Sequence, residues 1–548
     1  MSTQAEYDPS AFRAVLEHQF TYLHGFQRNT HRYANRVALR DPGSGRSWTY
    51  AELGAEVDRL AAGLAAAGVG PGDVVVYQLY NCPEFAMMYL AAQACGAIGA
   101  PINYRLAPGE TAYILDDSAP RIFVYDATLA GPARDALALA GHRPDVLAVV
   151  GEPEDGGAAV AFGDLFAAPG ASLPEPAATG YEETTRLYTS GTTGMPKGVA
   201  LNSLVEVLSA HDVIMHFPLS PEDITLNMTP WFHRGGLFSG GPNPVFYAGA
   251  QAVPMRAFDP DAVLDHVERL GVTFLIGAPT NLEMLTRAQL RRRRDLSSLR
   301  GIVTMGAPLT RDACLRYQEV LTPRIFNGYG TTETFWNTFL RPSDLPEHAG
   351  SAGRACTDDD VAVVRLLEDR RAEPHETVAH DGAEIGEVIV RSPKSGYHYT
   401  NSPETDAKKF HDGWLYTGDL ATWDAEEYIT IVGRRDDMIV SGGENVHPTQ
   451  VEEALGGHPG IADSLVVGVP DERWGQRVVA YVIRADEKLT AADCDHHCRT
   501  HPMLSAYKRP RAYRFVDTLP MNATGKKLHY KATEQAAAEY AAGLFESS

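Results

Sequence analysis

The sequence predicts an α/β protein: a large N-terminal domain of mostly parallel sheets flanked by helices, a small strand-rich subdomain, and a small α+β domain at the C-terminus. Three observations predict it. Helical segments alternate with short continuous apolar runs up to Phe326, the pattern of parallel sheets covered on both faces. Beyond Gly396 the texture turns strand-rich. A charged stretch, Gly433-Arg434-Arg435-Asp436-Asp437, then separates two apolar segments as an exposed connection would, dividing the chain into residues 1–435 and 436–548.

The elements follow in order. Thr49 and Glu52 form a capping box ahead of Leu53, Val57, Leu60 and Leu64 at helical spacing, and Gly68 stops the helix. Val74–Val76 reads as a strand buried on both faces, followed by a helix from Pro83 to Gly96 and the run Ala97–Pro101. The alternation resumes with helices over 261–270, 282–290 and 311–320 and strands over 273–276, 301–304 and 324–326. Strands at 387–390 and 428–432 build the subdomain. The last segment carries a helix over 449–455, strands over 463–469 and 477–484, and a terminal helix over 528–542.

Composition excludes several classes. A net charge of −22 argues against nucleic-acid or anionic-membrane partners, which need a basic face. The Arg291–Arg294 run reads as the solvated end of a helix. No apolar run is long enough to span a bilayer, and MSTQAEYDPS lacks the basic-then-apolar pattern of a signal peptide. Six scattered cysteines show no disulfide framework, so a cytoplasmic location is expected. The cluster Cys494, His496, His497, Cys498 lacks paired zinc-ligand spacing and reads as one helix with both cysteines on one face.

The chemistry concentrates in loops. Thr189-Ser190-Gly191-Thr192-Thr193-Gly194-Met195-Pro196-Lys197-Gly198 holds four hydroxyls, three glycines and one lysine, a composition that suits a loop around a phosphate chain rather than a core element. Its spacing is not that of the P-loop. Asn327-Gly328-Tyr329-Gly330-Thr331-Thr332-Glu333 follows a strand and offers a ring, two hydroxyls and a carboxylate suited to Mg²⁺ beside phosphate. Asp419, in Tyr416-Thr417-Gly418-Asp419, sits after a tight turn where it can accept from ribose hydroxyls. Gly306-Ala307-Pro308 lets a flat base approach the backbone. Pro230–Leu237, with His233 and Arg234, has the rings and glycines of an apolar cavity with a gate. Ser441-Gly442-Gly443 and the loop ending in Lys526-Lys527 are glycine turns of the last segment, the latter's lysines placed to meet an anion.

In this order these segments make the chain similar to the superfamily of adenylate-forming (AMP-binding) enzymes, in its acyl-CoA synthetase branch. TSGTTGMPKG, YGTTE, YTGDL, GRRDDMIVSGGENVHPTQVEEAL and NATGK carry the resemblance, from about Trp48 to Leu528. It implies a carboxylic acid activated by ATP as acyl-AMP with loss of pyrophosphate, then transferred to coenzyme A; an acyl carrier protein is the alternative acceptor. It implies that Thr189–Lys197 hold the β- and γ-phosphates, Thr332 the α-phosphate, Glu333 the Mg²⁺, and Asp419 with Arg434 the ribose, while Tyr329 and Gly330 join Gly306–Pro308 around adenine. Lys526 would bridge carboxylate and α-phosphate during adenylation. The C-terminal domain would then rotate about Asp436, bringing the Ser441–Asn445 loop to a pantetheine tunnel, with Trp474 on the CoA nucleotide. His233 is the gate residue. Two departures stand out: Phe335-Trp336 after Glu333 would shorten or reshape the acyl pocket or crowd the adenylate, and Arg234 follows His233 where many relatives carry an apolar residue. They leave open an impaired adenylation half-reaction, and Arg234 either meets a second polar group on the acid or points to solvent. The oligomeric state stays open, a homodimer among the options.

Overall fold

The computed structural model describes residues 8–154, 157–171, 179–190, 195–367, 369–441, 444–471, 474–501, 504, 508–521 and 526–547. Its centre is two sheets of mixed helix–strand parentage. One has seven strands and is built on Val74–Gln78, whose parallel neighbours are Ile98–Pro101 and Ile122–Asp126. All five residues of Val74–Gln78 are buried, as a run without polar alternation requires. At one edge this sheet ends in an antiparallel hairpin, Glu183–Ser190 against Pro196–Asn202.

The second sheet has nine strands. Ile224–Asn227, Phe274–Gly277, Gly301–Met305 and Ile325–Thr331 run parallel, each reached through helical crossovers. The chain then reverses, and Phe335–Leu340 returns antiparallel to Ile325–Thr331. Between the sheets' apolar faces a shared core forms, with Val75 and Tyr77 of one, Phe274, Ile276 and Val303 of the other, and the Pro83–Ala94 helix in a single cluster. That helix buries all but one of its residues, which explains why it shows no polar face in sequence.

A five-stranded antiparallel sheet follows, with Asp360–Arg365, Gly386–Arg391, Trp414–Trp423 and Ile429–Arg434 among its strands. The last sheet pairs Ile461–Asp471 with Gly475–Arg484 and adds Ala512–Phe515 in parallel. Here Cys494 and Cys498, on the helix Ala491–Thr500, are buried in an apolar cluster with Val451, Leu455 and Tyr513. No described helix is long and apolar enough to cross a membrane.

Three sequence expectations need correction. The strand after Arg324 extends to Thr331, so Tyr329 and Gly330 lie in it rather than in a loop. Asp419 lies inside the long strand Trp414–Trp423, not after a tight turn; Gly418 takes φ +78° and the register slips between Leu420 and Ala421. The Arg291–Arg294 run is only partly solvated. The Arg294 side chain is buried, reaching Asp261 and Asp265 and donating to the carbonyls of Ala288 and Arg292, because it closes the end of its own helix.

Candidate active site

Three of the candidate segments sit at the carboxyl ends of parallel strands of the nine-stranded sheet, where ligands gather on sheets of this kind. Gly306-Ala307-Pro308 follows Gly301–Met305, with Gly306 at φ +83°. His233 and Arg234 follow Ile224–Asn227. Thr332 and Glu333 form the turn between Ile325–Thr331 and Phe335–Leu340. This turn is pinned from below: Thr331 and Thr334 hydroxyls lie 3.0 Å apart, Thr334 donates to Asn337 at 2.7 Å, and Asn337 donates to Asp359 at 3.1 Å. Phe335, at φ +62°, stores strain beside it that the buried surroundings maintain.

The hairpin expected to hold phosphate is shorter as a loop than its composition suggested. Thr189 and Ser190 end one strand, and Lys197 and Gly198 begin the next, with Thr189 opposite Lys197. Gly191, Thr192, Thr193 and Gly194 lie outside the described residues. Lys197 donates to the Thr405 hydroxyl at 2.7 Å. Gly198 serves a neighbouring chain segment rather than an anion: a Cβ there would come within 2.3 Å of the Thr400 hydroxyl, and its carbonyl accepts from the Thr400 amide at 2.8 Å.

Asp419 is the meeting point of two sheets. It accepts from the Tyr329 hydroxyl at 2.8 Å and pairs with Arg434, opposite it in the adjacent strand, at 2.9 Å. Burial, then the Asp419 charge, holds the Tyr329 phenol protonated far above its ordinary range. Lys526 is exposed and lies within electrostatic range of Asp419, Arg434 and Asp437. Its neighbour Lys527 does not meet an anion in the cleft: it turns into its own domain, to Glu452 at 3.1 Å and Asp463 at 2.9 Å. The two lysines read alike in sequence; the ion pairs of Lys527 mark it as an anchor, whereas Lys526 lies toward Asp419 and Arg434.

Glu333 accepts from the Tyr399 hydroxyl, a partner that sequence reading missed because nothing local marks a tyrosine 66 residues away. A single carboxylate on a hydroxyl-bearing turn is a donor set that Mg²⁺ accepts, with phosphate oxygens and water completing it. Among the described residues, one other group of metal-capable side chains converges, Asp212, His216 and Cys356. The Lys394 ammonium already lies 2.9 Å from Asp212, so this is a buried ion network. Lys394 also reaches Asp359 at 3.0 Å and donates to the Trp336 carbonyl at 2.7 Å.

Of the residues expected at an acyl pocket, Phe335 and Trp336 stack at 4.8 Å and are both buried, and Trp336 packs onto Gly328, where a Cβ would lie 2.7 Å from its indole nitrogen. The glycines beside His233 serve packing: a Cβ on Gly236 would lie 1.8 Å from the Pro230 carbonyl. Burial lowers the His233 imidazole to about 4, and its Nε2 is buried with no partner among the described residues. Arg234 does not point to solvent. It is 4 % exposed, and burial lowers its guanidinium to about 9 against the opposing pull of Glu206.

In the small sheet, Ser441 pairs with Gly475, which brings it beside Trp474, one of the exposed large side chains of the surface. Gly442 and Gly443 lie outside the described residues. Arg435–Asp437 form a single short turn between Ile429–Arg434 and Ile439–Ser441.

A family model described as AMP-binding enzyme matches residues 26–399, and one described as AMP-binding enzyme C-terminal domain matches residues 450–526. The chain belongs to the AMP-binding enzyme family. It is 34% identical over 502 residues to an indoleacetate–CoA ligase of Aromatoleum aromaticum, covering 90% of this chain and 93% of that one. It is 33% identical over 496 residues to the fatty acid–[acyl-carrier-protein] ligase ScoC of Streptomyces coeruleorubidus, covering 88% and 91%. Among solved structures it is similar to the anthranilate CoA ligase AuaEII in complex with anthranoyl-AMP, with a TM-score of 0.86, 27% identity, and 96% and 99% of the two chains covered. The fold of this AMP-binding enzyme is thus that of its relatives over nearly its full length.

Proposed function

We propose that this AMP-binding enzyme is an ATP-dependent acid:CoA ligase. The observation that carries the reading is the Tyr329–Asp419–Arg434 cluster with the Lys526 head in electrostatic range of it: a ribose-sized acceptor beside a cation that can reach the α-phosphate. In the first step a carboxylate oxygen attacks the α-phosphorus, the α–β anhydride bond breaks, and pyrophosphate leaves. Charge accumulates on the phosphoryl oxygens, and prearranged donors lower its cost. Lys197, Thr189, Ser190 and the 191–193 segment would hold the β- and γ-phosphates, and Thr332 and Lys526 the α-phosphate. Tyr329, with Gly330 and Gly306-Ala307-Pro308, would border the adenine. Glu333 would hold Mg²⁺, which when bound neutralises phosphate charge.

In the second step the CoA sulfur attacks the acyl carbonyl, the bond to the phosphate oxygen breaks, and AMP leaves; the thiol proton passes to solvent. A lysine in the cleft would obstruct the thiol, so the short turn at Arg435–Asp437 serves as the hinge that exchanges Lys526 for the Ser441–Asn445 loop. On this reading residues 1–435 and 436–548 move as two bodies. Ser441 beside the exposed Trp474 favours free CoA, while the carrier-protein ligase among the relatives supplies the second reading. A cytoplasmic setting fits substrates of this kind. The test is pyrophosphate release across a panel of carboxylic acids, followed by thioester formation with CoA against a holo-carrier protein. Pyrophosphate without CoA thioester, but with acylated carrier, would replace the first reading by the second.

A further inference from the structure

Among the described residues, Arg234 is a buried cation with no carboxylate in direct contact. Its Nη2 donates to the Ser209 hydroxyl at 3.0 Å and the Lys394 carbonyl at 3.2 Å, whereas its Nε and Nη1 are buried with no hydrogen-bond partner. Those two nitrogens carry three N–H donors, and leaving donors of a charged group unpaired in the interior is costly. Among the described residues no carboxylate hydrogen-bonds to them. Glu206, the acidic group that acts most strongly on Arg234, gives one oxygen to the Thr184 and Thr185 hydroxyls and the other to Tyr89 and Gln93. Glu333 accepts from Tyr399.

The surroundings hold the guanidinium in place. Its carbon lies 4.2 Å from the Phe238 ring centre and 5.5 Å from that of Phe335, so two rings fix its plane. It follows His233, whose Nε2 likewise has no partner among the described residues, at the carboxyl end of a parallel strand. A planar cation with spare donors, clamped at the acid side of the site, is the arrangement that recognises a carboxylate or sulfonate.

We propose that Arg234 receives a second anionic group, carboxylate or sulfonate, on the acid this enzyme activates, so that its substrates carry two acidic groups rather than one. This rests on the ligase reading above. The class of reaction that supplies such a substrate is one that leaves an acid on both ends of a small carbon skeleton.

The test compares matched acids that differ in one charge: terephthalate with monomethyl terephthalate, adipate with monomethyl adipate, and 3-sulfobenzoate with 3-(methylsulfonyl)benzoate. Each is followed by pyrophosphate release and by calorimetric binding to the full-length enzyme with a non-hydrolysable ATP analogue. In at least one pair the charged member should be preferred about tenfold or more in kcat/KM, carried mainly by KM. Arg234→Leu should cost the charged member at least about tenfold more in kcat/KM than the neutral member, and Arg234→Lys should restore part of the difference. Preference for the neutral member in every pair would overturn the proposal, as would equal loss for both members in Arg234→Leu. Melting and ATP binding check that the variants fold; if Arg234→Leu does not, Arg234→Lys and Arg234→Gln carry the comparison. Pyrophosphate release without CoA thioester would sink the ligase reading and leave the charge preference standing. With no pyrophosphate at all, calorimetry still ranks the pairs.

Discussion

Replacing Lys394 by methionine should destabilise the large domain by about 4 kcal/mol. The ammonium has three protons and three acceptors, Asp212 at 2.9 Å, Asp359 at 3.0 Å and the Trp336 carbonyl at 2.7 Å, and all of it is buried. Methionine fills the same volume but leaves two buried carboxylates facing each other without their shared cation. Breaking a buried pair by removing one partner costs about 3–5 kcal/mol, largely through the charge left behind. For a unit of about 430 residues the entropy of unfolding is roughly 0.9 kcal/mol per kelvin, so the melting temperature should fall by about 4 °C. Calorimetric melting of wild type, Lys394→Met, and Lys394→Met with Asp212→Asn and Asp359→Asn measures it. The triple variant should recover most of the loss, since the stranded charge is gone. A single variant that melts within about 1 °C of wild type would refute the argument that the network is held by its cation.

Further outcomes follow from the site. Lys526→Ala should slow acyl-AMP formation sharply and leave thioester formation from supplied acyl-AMP largely intact; equal loss in both half-reactions would remove its assigned role. Tyr329→Phe deletes the 2.8 Å hydrogen bond to Asp419, a bond to a charged acceptor worth about 1.5–3 kcal/mol, and should raise the KM for ATP at least about tenfold. An unchanged KM would mean that Asp419 is positioned by Arg434 alone. His233, lowered to about 4 by burial, is stabilising while neutral: its contribution is full above the unfolded value near 6.5 and is lost as pH falls toward 4. Denaturation of His233→Gln should therefore show a shallower loss of stability over that window, by about 3 kcal/mol in total. Parallel pH profiles for the two proteins would contradict it.

Local composition carried most of what the sequence revealed. Apolar runs such as Val74–Val76 and the capping box at Thr49 mark their elements because the signal lies within a few residues. The motif loops were legible for the same reason, and Asp419 with Arg434 and Tyr329 do converge. What stayed hidden is long-range pairing. Lys394, Asp212 and Asp359 lie on separate elements and leave no periodic trace; Tyr399 reaches Glu333 from another sheet's margin. Lys526 and Lys527 could not be ranked until Glu452 and Asp463 claimed the second. The fate of Arg234 needed burial to be seen, because an arginine after a gate residue reads the same whether it faces in or out.

The stretch from Tyr399 to Thr405 touches two of the candidate site segments, through Gly198 and Lys197 on one side and Glu333 on the other, across separations of 208 and 66 residues. Asp419 adds a further link of 90 residues to Tyr329. A chain emerging from the ribosome therefore makes its hairpin, and even its nine-stranded sheet, before it can join Asp419 and Arg434 to Tyr329. Loops this long are slow to close. On the ligase reading, ATP can stabilise only a polypeptide that has already passed Arg434, so nucleotide binding would reward the finished large domain rather than a shorter intermediate.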